Sequence, residues 1–181
     1  LVNDVLDLSK IEAGRMELVD ADFSLRGLVS EIQQRLQVLA DRKGLAFIIE
    51  YDDILPDGLR GDEARLGQMI TNLLSNAIKF TEKGHVRLRM KRAGDELMIA
   101  VEDTGIGIPP HALNYIFDEF RQADGTIRRS YQGTGLGLSI VRKLTEAMGG
   151  RLNVVSTIDE GSVFTIHLPL RLASEVQAQS A

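Results

Sequence analysis

Two asparagines four residues apart, Asn72 and Asn76, stand in the stretch DEARLGQMITNLLSNAIKF, and Lys79 lies one turn beyond them. Amide oxygens are hard ligands that suit magnesium, an ion that takes few protein ligands when phosphate and water supply the rest. A lysine ammonium meets phosphate as a point charge. Leu66, Met69, Ile70, Leu73, Leu74, Ala77 and Ile78 recur at helical spacing, which predicts a helix over about 62–80. Asp62 sits where its N-cap belongs. Arg65, Gln68, Asn72, Asn76 and Lys79 then share the side opposite the apolar stripe. Alone, this row reads equally as a ligand surface or as an ordinary solvated face.

A second group of residues follows. Leu97 to Val101 is an apolar run that reads as a buried strand, and it ends on Asp103, Gly105 and Gly107 in VEDTGIGIPP. After IFDEFRQAD comes GTGLGLSIV, where Gly133, Gly135 and Gly137 lead into a second amphipathic pattern. Successive backbone N–H groups at a helix start suit phosphate. The familiar phosphate loops do not fit. A dinucleotide fingerprint needs a third glycine where Leu138 or Pro110 stands, and no Gly-Lys pair exists for a Walker loop. The kinase triplets H-R-D and D-F-G are absent.

Five segments, in order and at matching separations, resemble the boxes of sensor histidine kinases. NLLSNAIKF resembles the N box, DTGIGIP the G1 box, IFDEF the F box, GTGLGLSIV the G2 box and GSVF the G3 box. The resemblance covers roughly residues 1 to 170 and extends to a superfamily with the Bergerat nucleotide-binding fold, which includes type II topoisomerases, Hsp90 and MutL. It implies an α+β fold: a two-layer α/β sandwich with one mixed sheet covered by helices on one face. It implies ATP and Mg2+ as cofactors. Asn76, with Asn72 as a second candidate, would hold the metal. Lys79, Arg129, Gly133, Thr134, Gly135, Leu136, Gly137 and Leu138 would line the phosphate side and its lid. Phe80, Asp103, Gly105, Gly107 and Ile108 would line the adenine, with Asp103 accepting from its amino group and Thr104 giving local support. Phe117 and Phe120 would anchor the lid. Many family members carry an arginine where Gln122 stands, so charge compensation passes to Arg121 or Arg129.

Composition narrows the alternatives. A net charge of −5 argues against nucleic acid as a general partner. It also requires local cations at any phosphate site, with Lys79, Lys83, Arg121, Arg128 and Arg129 as suppliers. Cysteine is absent, so disulfide and thiol chemistry are too. Nothing approaches a transmembrane span. The resemblance implies a cytoplasmic domain whose parent protein is a homodimer, with any inner-membrane anchor outside this chain. Its partners would be its own dimerisation and phosphoacceptor domain and a response-regulator receiver domain.

Residues 1–18, ending LSKIEAGRMEL, resemble the end of the second dimerisation-domain helix, stopped by Gly14. Residues 19–172 form the catalytic domain, and 173–181 a tail that frays from about Leu170. Within the domain, strands are expected at 19–23 and 45–51, and a helix capped by Ser24 runs to Lys43. Further strands are expected at 85–91 and 97–102, with a short helix from Pro109-Pro110 to about Phe117. Residues 121–133 read as a loop, and 136–148 as a helix. A hairpin of 151–156 and 163–168 turns around Gly161. His85, His111 and His167 lie outside any His-Glu-x-x-x-Pro setting and read as structural or solvated. Two rivals stand beside the kinase reading. One is a Bergerat-fold ATPase, whose water-activating acid would stand where Asn72 does. The other is a non-catalytic nucleotide-sensing module.

Overall fold

The structure, a computed structural model, describes residues 2–119 and 135–174. In chain order its elements are α1 (Val2–Glu12), β1 (Ala21–Ser24), α2 (Leu25–Lys43), β2 (Ala46–Tyr51), β3 (Gly58–Gly61), α3 (Glu63–Phe80), β4 (His85–Ala93), β5 (Glu96–Asp103), α4 (Pro110–Leu113), α5 (Gly137–Ala147), β6 (Arg151–Thr157) and β7 (Gly161–Pro169). Five strands form one sheet in the order β2-β4-β5-β7-β6. The β2–β4 pair is parallel and the other three are antiparallel. The expected mixed sheet is therefore present, with β5 at its centre.

Strand alternation sets the two faces. Val86, Leu88 and Met90 of β4, Leu97, Ile99 and Val101 of β5, and Phe164, Ile166 and Leu168 of β7 are buried on one face. Helices α2, α3 and α5 pack there. The other face carries Glu50, Arg87, Arg89 and Glu102, paired across the strands, with Arg87 and Arg89 each 3.1 Å from Glu102. Helix α3 is the hub. Met69, Ile70, Leu73 and Leu74 are fully buried beneath α2, α5 and the sheet. Burying each such side chain contributes about 1.5–3 kcal/mol.

The capping expectations hold. The Ser24 hydroxyl accepts from the Gly27 amide, and Gly44 ends α2 in the left-handed region at φ 66. Asp62 accepts from the Arg65 amide at the start of α3. Four features differ from the sequence reading. A two-stranded sheet of β1 and β3 was not expected. Helix α4 is a single turn, and the chain continues in turns to Phe117. The β6–β7 turn occupies 158–160 with Asp159 at φ 61, so Gly161 already belongs to the strand. The segment after Leu170 is docked as far as Ser174. There Leu172 bridges Leu59, the Ala173 amide donates to the Gly58 carbonyl, and Arg171 pairs with Asp20. The expected loop at 121–133, with Arg121, Gln122, Arg128, Arg129 and Gly133, lies outside the described residues, as do Phe120 and Thr134.

Candidate functional site

The buried stripe of α3 turns its polar row outward, and most of the row is divided between two neighbours, α1 and the start of α5. Arg65 and Gln68 face α1. The Arg65 guanidinium lies 2.9 Å from the Asp7 carboxylate, and the Gln68 amide donates to the same carboxylate at 3.0 Å. Asn72 and Asn76, half-buried, face the start of α5. The Asn72 side chain reaches the Gly137 carbonyl at 3.4 Å. A Cβ on Gly137 would stand 3.8 Å from Asn76 Nδ2 and 3.9 Å from Asn72 Cγ, ordinary contact distances, so the start of α5 passes close to both amides. Lys79 ends the row with its ammonium 5.0 Å from the centre of the Phe80 ring. Burial draws the Lys79 ammonium below its ordinary value.

Asp103 ends β5 beside this helix end and is 7% exposed. Its carboxylate accepts the Gly105 amide at 2.8 Å. Burial raises its pKa, the Gly105 and Ser162 amides oppose that, and the neighbouring Glu102 adds to the rise; the net direction is upward. The glycines around it are required by close approach. A Cβ on Gly105 would collide with the Phe80 carbonyl. One on Gly107, at φ +68, would collide with the Thr157 carbonyl, and one on Gly161, at φ +119, with the Asp103 carbonyl. Thr104 bonds locally, its hydroxyl accepting the His85 amide at 2.9 Å. The Ile108 amide donates to Ser156 Oγ at 2.8 Å, and the Ile108 side chain packs on the core.

At the α5 start, Gly135 adopts φ 71 and Leu136 is buried. Leu138 is half-buried against the core. Phe117 is held edge-on to Phe164, and Arg142 lies over its ring. Glu119 pairs with Lys143 of α5. The structure thus brings Asn72, Asn76, Lys79, Phe80, Asp103, Gly105, Gly107, Ile108 and Gly135 to Leu138 around one end of the sheet. His85 and His167 pair with Glu102 and Glu96. Among the described residues no cluster of three or more His, Cys, Asp or Glu side chains is placed to hold a metal. Nothing in the sequence points to Ser162 or Lys43 at this end, and Gly161 reads there as a hairpin glycine.

Comparison with known proteins decides the family. The model of the histidine kinase-, DNA gyrase B- and HSP90-like ATPases matches residues 61–172. The chain belongs to this family. It is 41% identical over 186 residues to the sensory/regulatory protein RpfC of Xanthomonas campestris pv. campestris, covering 99% of this chain and 26% of the relative. It is 44% identical over 171 residues to the circadian input-output histidine kinase CikA of Synechococcus elongatus, covering 93% of this chain and 23% of the relative. It is 43% identical over 177 residues to the signal transduction histidine-protein kinase BarA of Escherichia coli K12, covering 95% and 19%. The chain therefore spans about a quarter or less of these relatives. Full-length ShkA in complex with AMPPNP superposes with a TM-score of 0.85 at 35% identity, covering 95% of this chain and 35% of that one. The catalytic domain of histidine kinase ThkA superposes at 0.71 and 29% identity, over 85% of this chain and 96% of that one. Within the ATPase family, the chain is thus of the sensor histidine kinase catalytic-domain type, as its five boxes led us to expect. No helix among its described residues is long and apolar enough to cross a membrane.

Proposed function

We propose that this domain binds Mg–ATP at the end of the sheet where α3, the 103–108 turn and the start of α5 meet, and passes the γ-phosphoryl group to a histidine on a dimerisation domain. The observation that carries the reading is the convergence of two chemistries on one helix. Asn72 reaches the Gly137 carbonyl and Asn76 lies beside that glycine, and one to two turns later the Phe80 carbonyl lies against Gly105, whose amide donates to Asp103.

Asp103 would accept from the adenine amino group, and Phe80 would pack on the base. The glycines let backbone approach it closely. Lys79 and the α5 N-terminus would meet the phosphates. Asn76, helped by Asn72, fits magnesium by donor type: two amide oxygens suffice when phosphate and water complete the shell. The ion, when bound, would neutralise phosphate charge. The protein's own share is positioning and electrostatics rather than covalent chemistry. Arg129, Gly133 and Thr134 would complete the phosphate side. In the whole protein, α1 would be the end of a dimerisation helix, and a receiver-domain aspartate would take the phosphoryl group onward.

Calorimetric titration with ADP, with and without magnesium, tests the reading. We expect binding that magnesium strengthens. Asn76→Ala should lose about tenfold or more of the magnesium-dependent part, the worth of one interaction with a charged group. No binding at millimolar nucleotide would overturn the reading.

A further inference from the structure

The last turn of α3 carries Lys79 and Phe80, yet it ends without the usual cap. Thr81 at the C-cap is extended, at φ −104 and ψ 121, and no left-handed glycine closes the helix. A helix end leaves its final carbonyls without intrahelical partners. Here each one is met from the side. Thr81 Oγ1 donates to the Ala77 carbonyl at 2.7 Å. The Lys43 ammonium donates to the carbonyls of Ile78 at 2.9 Å, Lys79 at 2.8 Å and Thr81 at 3.0 Å. The Phe80 carbonyl accepts the Ile106 amide at 3.3 Å. An ammonium has three donors, and it is favoured electrostatically at a helix C-terminus. Lys43 is placed for this by the end of its own helix, where Gly44 turns the chain.

We infer that Lys43, outside the nucleotide site, is a positioning residue for it. Its ammonium substitutes for a helix cap and holds the Lys79–Phe80 turn against the 105–106 backbone. The inference rests on the nucleotide-binding reading above. Removing the ammonium leaves three carbonyls to water and loosens the turn that carries the base-stacking ring and the phosphate-facing cation. Asn76, one turn inside the helix, stays in place. Adenine and phosphate contacts therefore weaken, while the magnesium-dependent increment does not.

The test is titration of the chain with ADP, with and without magnesium, at a temperature well below unfolding. Lys43→Met keeps the aliphatic stem and should bind ADP about tenfold more weakly, the equivalent of one hydrogen bond to a charged group. The ratio of affinities with and without magnesium should not change. Ile32→Val, a core change on α2 away from the site, should lower the melting temperature and leave affinity intact. Unchanged affinity in Lys43→Met, with only a lower melting temperature, overturns the inference and leaves the nucleotide reading standing. An equal loss in Ile32→Val overturns it too. No binding by the unmodified chain overturns the reading itself. Should Lys43→Met not fold, the Lys43 Nζ resonance of the unmodified chain is followed by NMR. A shift on ADP addition is expected, and its absence counts against the coupling.

Discussion

Asp103 is the residue on which base choice would turn. Its carboxylate is buried, anchored by the Gly105 amide, and its pKa is raised from the ordinary aspartate value chiefly by burial. An ionised carboxylate only accepts hydrogen bonds. Adenine offers an amino group at the position where guanine offers a carbonyl, so an acceptor here would favour ADP over GDP. Asp103→Asn supplies an amide that can also donate. Competition of ADP and GDP for a fluorescent nucleotide should show a clear ADP preference in the unmodified chain. That preference should shrink by about tenfold in Asp103→Asn, the scale of one hydrogen bond to a charged group. An unchanged ratio would remove Asp103 from base recognition. Its neighbours explain the local glycines. Gly105 and Gly161 lie on either side of it, and a Cβ on either would strike backbone.

At the scale of elements, α1 meets α3 through a half-buried acid. Asp7 is desolvated, which raises its pKa, but hydrogen bonds from Arg65 and Gln68 and the charge of Arg65 outweigh this and leave it below the ordinary aspartate value. A depressed folded pKa contributes stability that is present above the unfolded value of about 3.9 and is lost as pH falls through the folded value. Melting temperature should therefore drop more steeply between pH 5 and the acid limit, on the order of pH 2–3, in the unmodified chain than in Asp7→Asn. Parallel profiles would show that the contact contributes nothing. This contact was not legible in the sequence. Arg65 and Gln68 read as part of one polar row with Asn72, because helical spacing places residues on a face but does not name what covers it. The long elements were legible because burial imposes their period: the stripe of α3, the alternation of β4 and the apolar run of β5. Strand β3, Gly-Leu-Arg-Gly, has no alternation to read, and it exists because β1 pairs with it. The docked segment up to Ser174 depends likewise on Asp20, Asp22 and Gly58, far away in the chain. Lys43 marks only the end of a helix in the sequence, and it is the fold that brings the end of α3 to it.

For the molecule as a whole, the proposed reading places ATP on this chain and the phosphoryl acceptor on another domain. His85 sits on the open sheet face against Glu102, and His167 is paired with Glu96 at the strand ends remote from Asp103. His111 stands on the turn of α4 beside Tyr115. None is set out as an acceptor. Asn72, at the position where an ATPase of the wider superfamily would need an acid, cannot take a proton from water. With labelled ATP, this chain should therefore stay unlabelled and turn ATP over very slowly. A separately supplied dimerisation domain with its histidine should become labelled. Labelling should be inefficient, because a covalent tether supplies an effective concentration in the millimolar range that dilute mixing does not. Fast hydrolysis by the chain alone would favour the ATPase rival. Tight Mg–ATP binding without labelling of any acceptor would favour a domain that only senses nucleotide. Label appearing on the chain itself would mean that one of its three histidines can reach the γ-phosphoryl group, and would overturn the assignment of the acceptor to another domain.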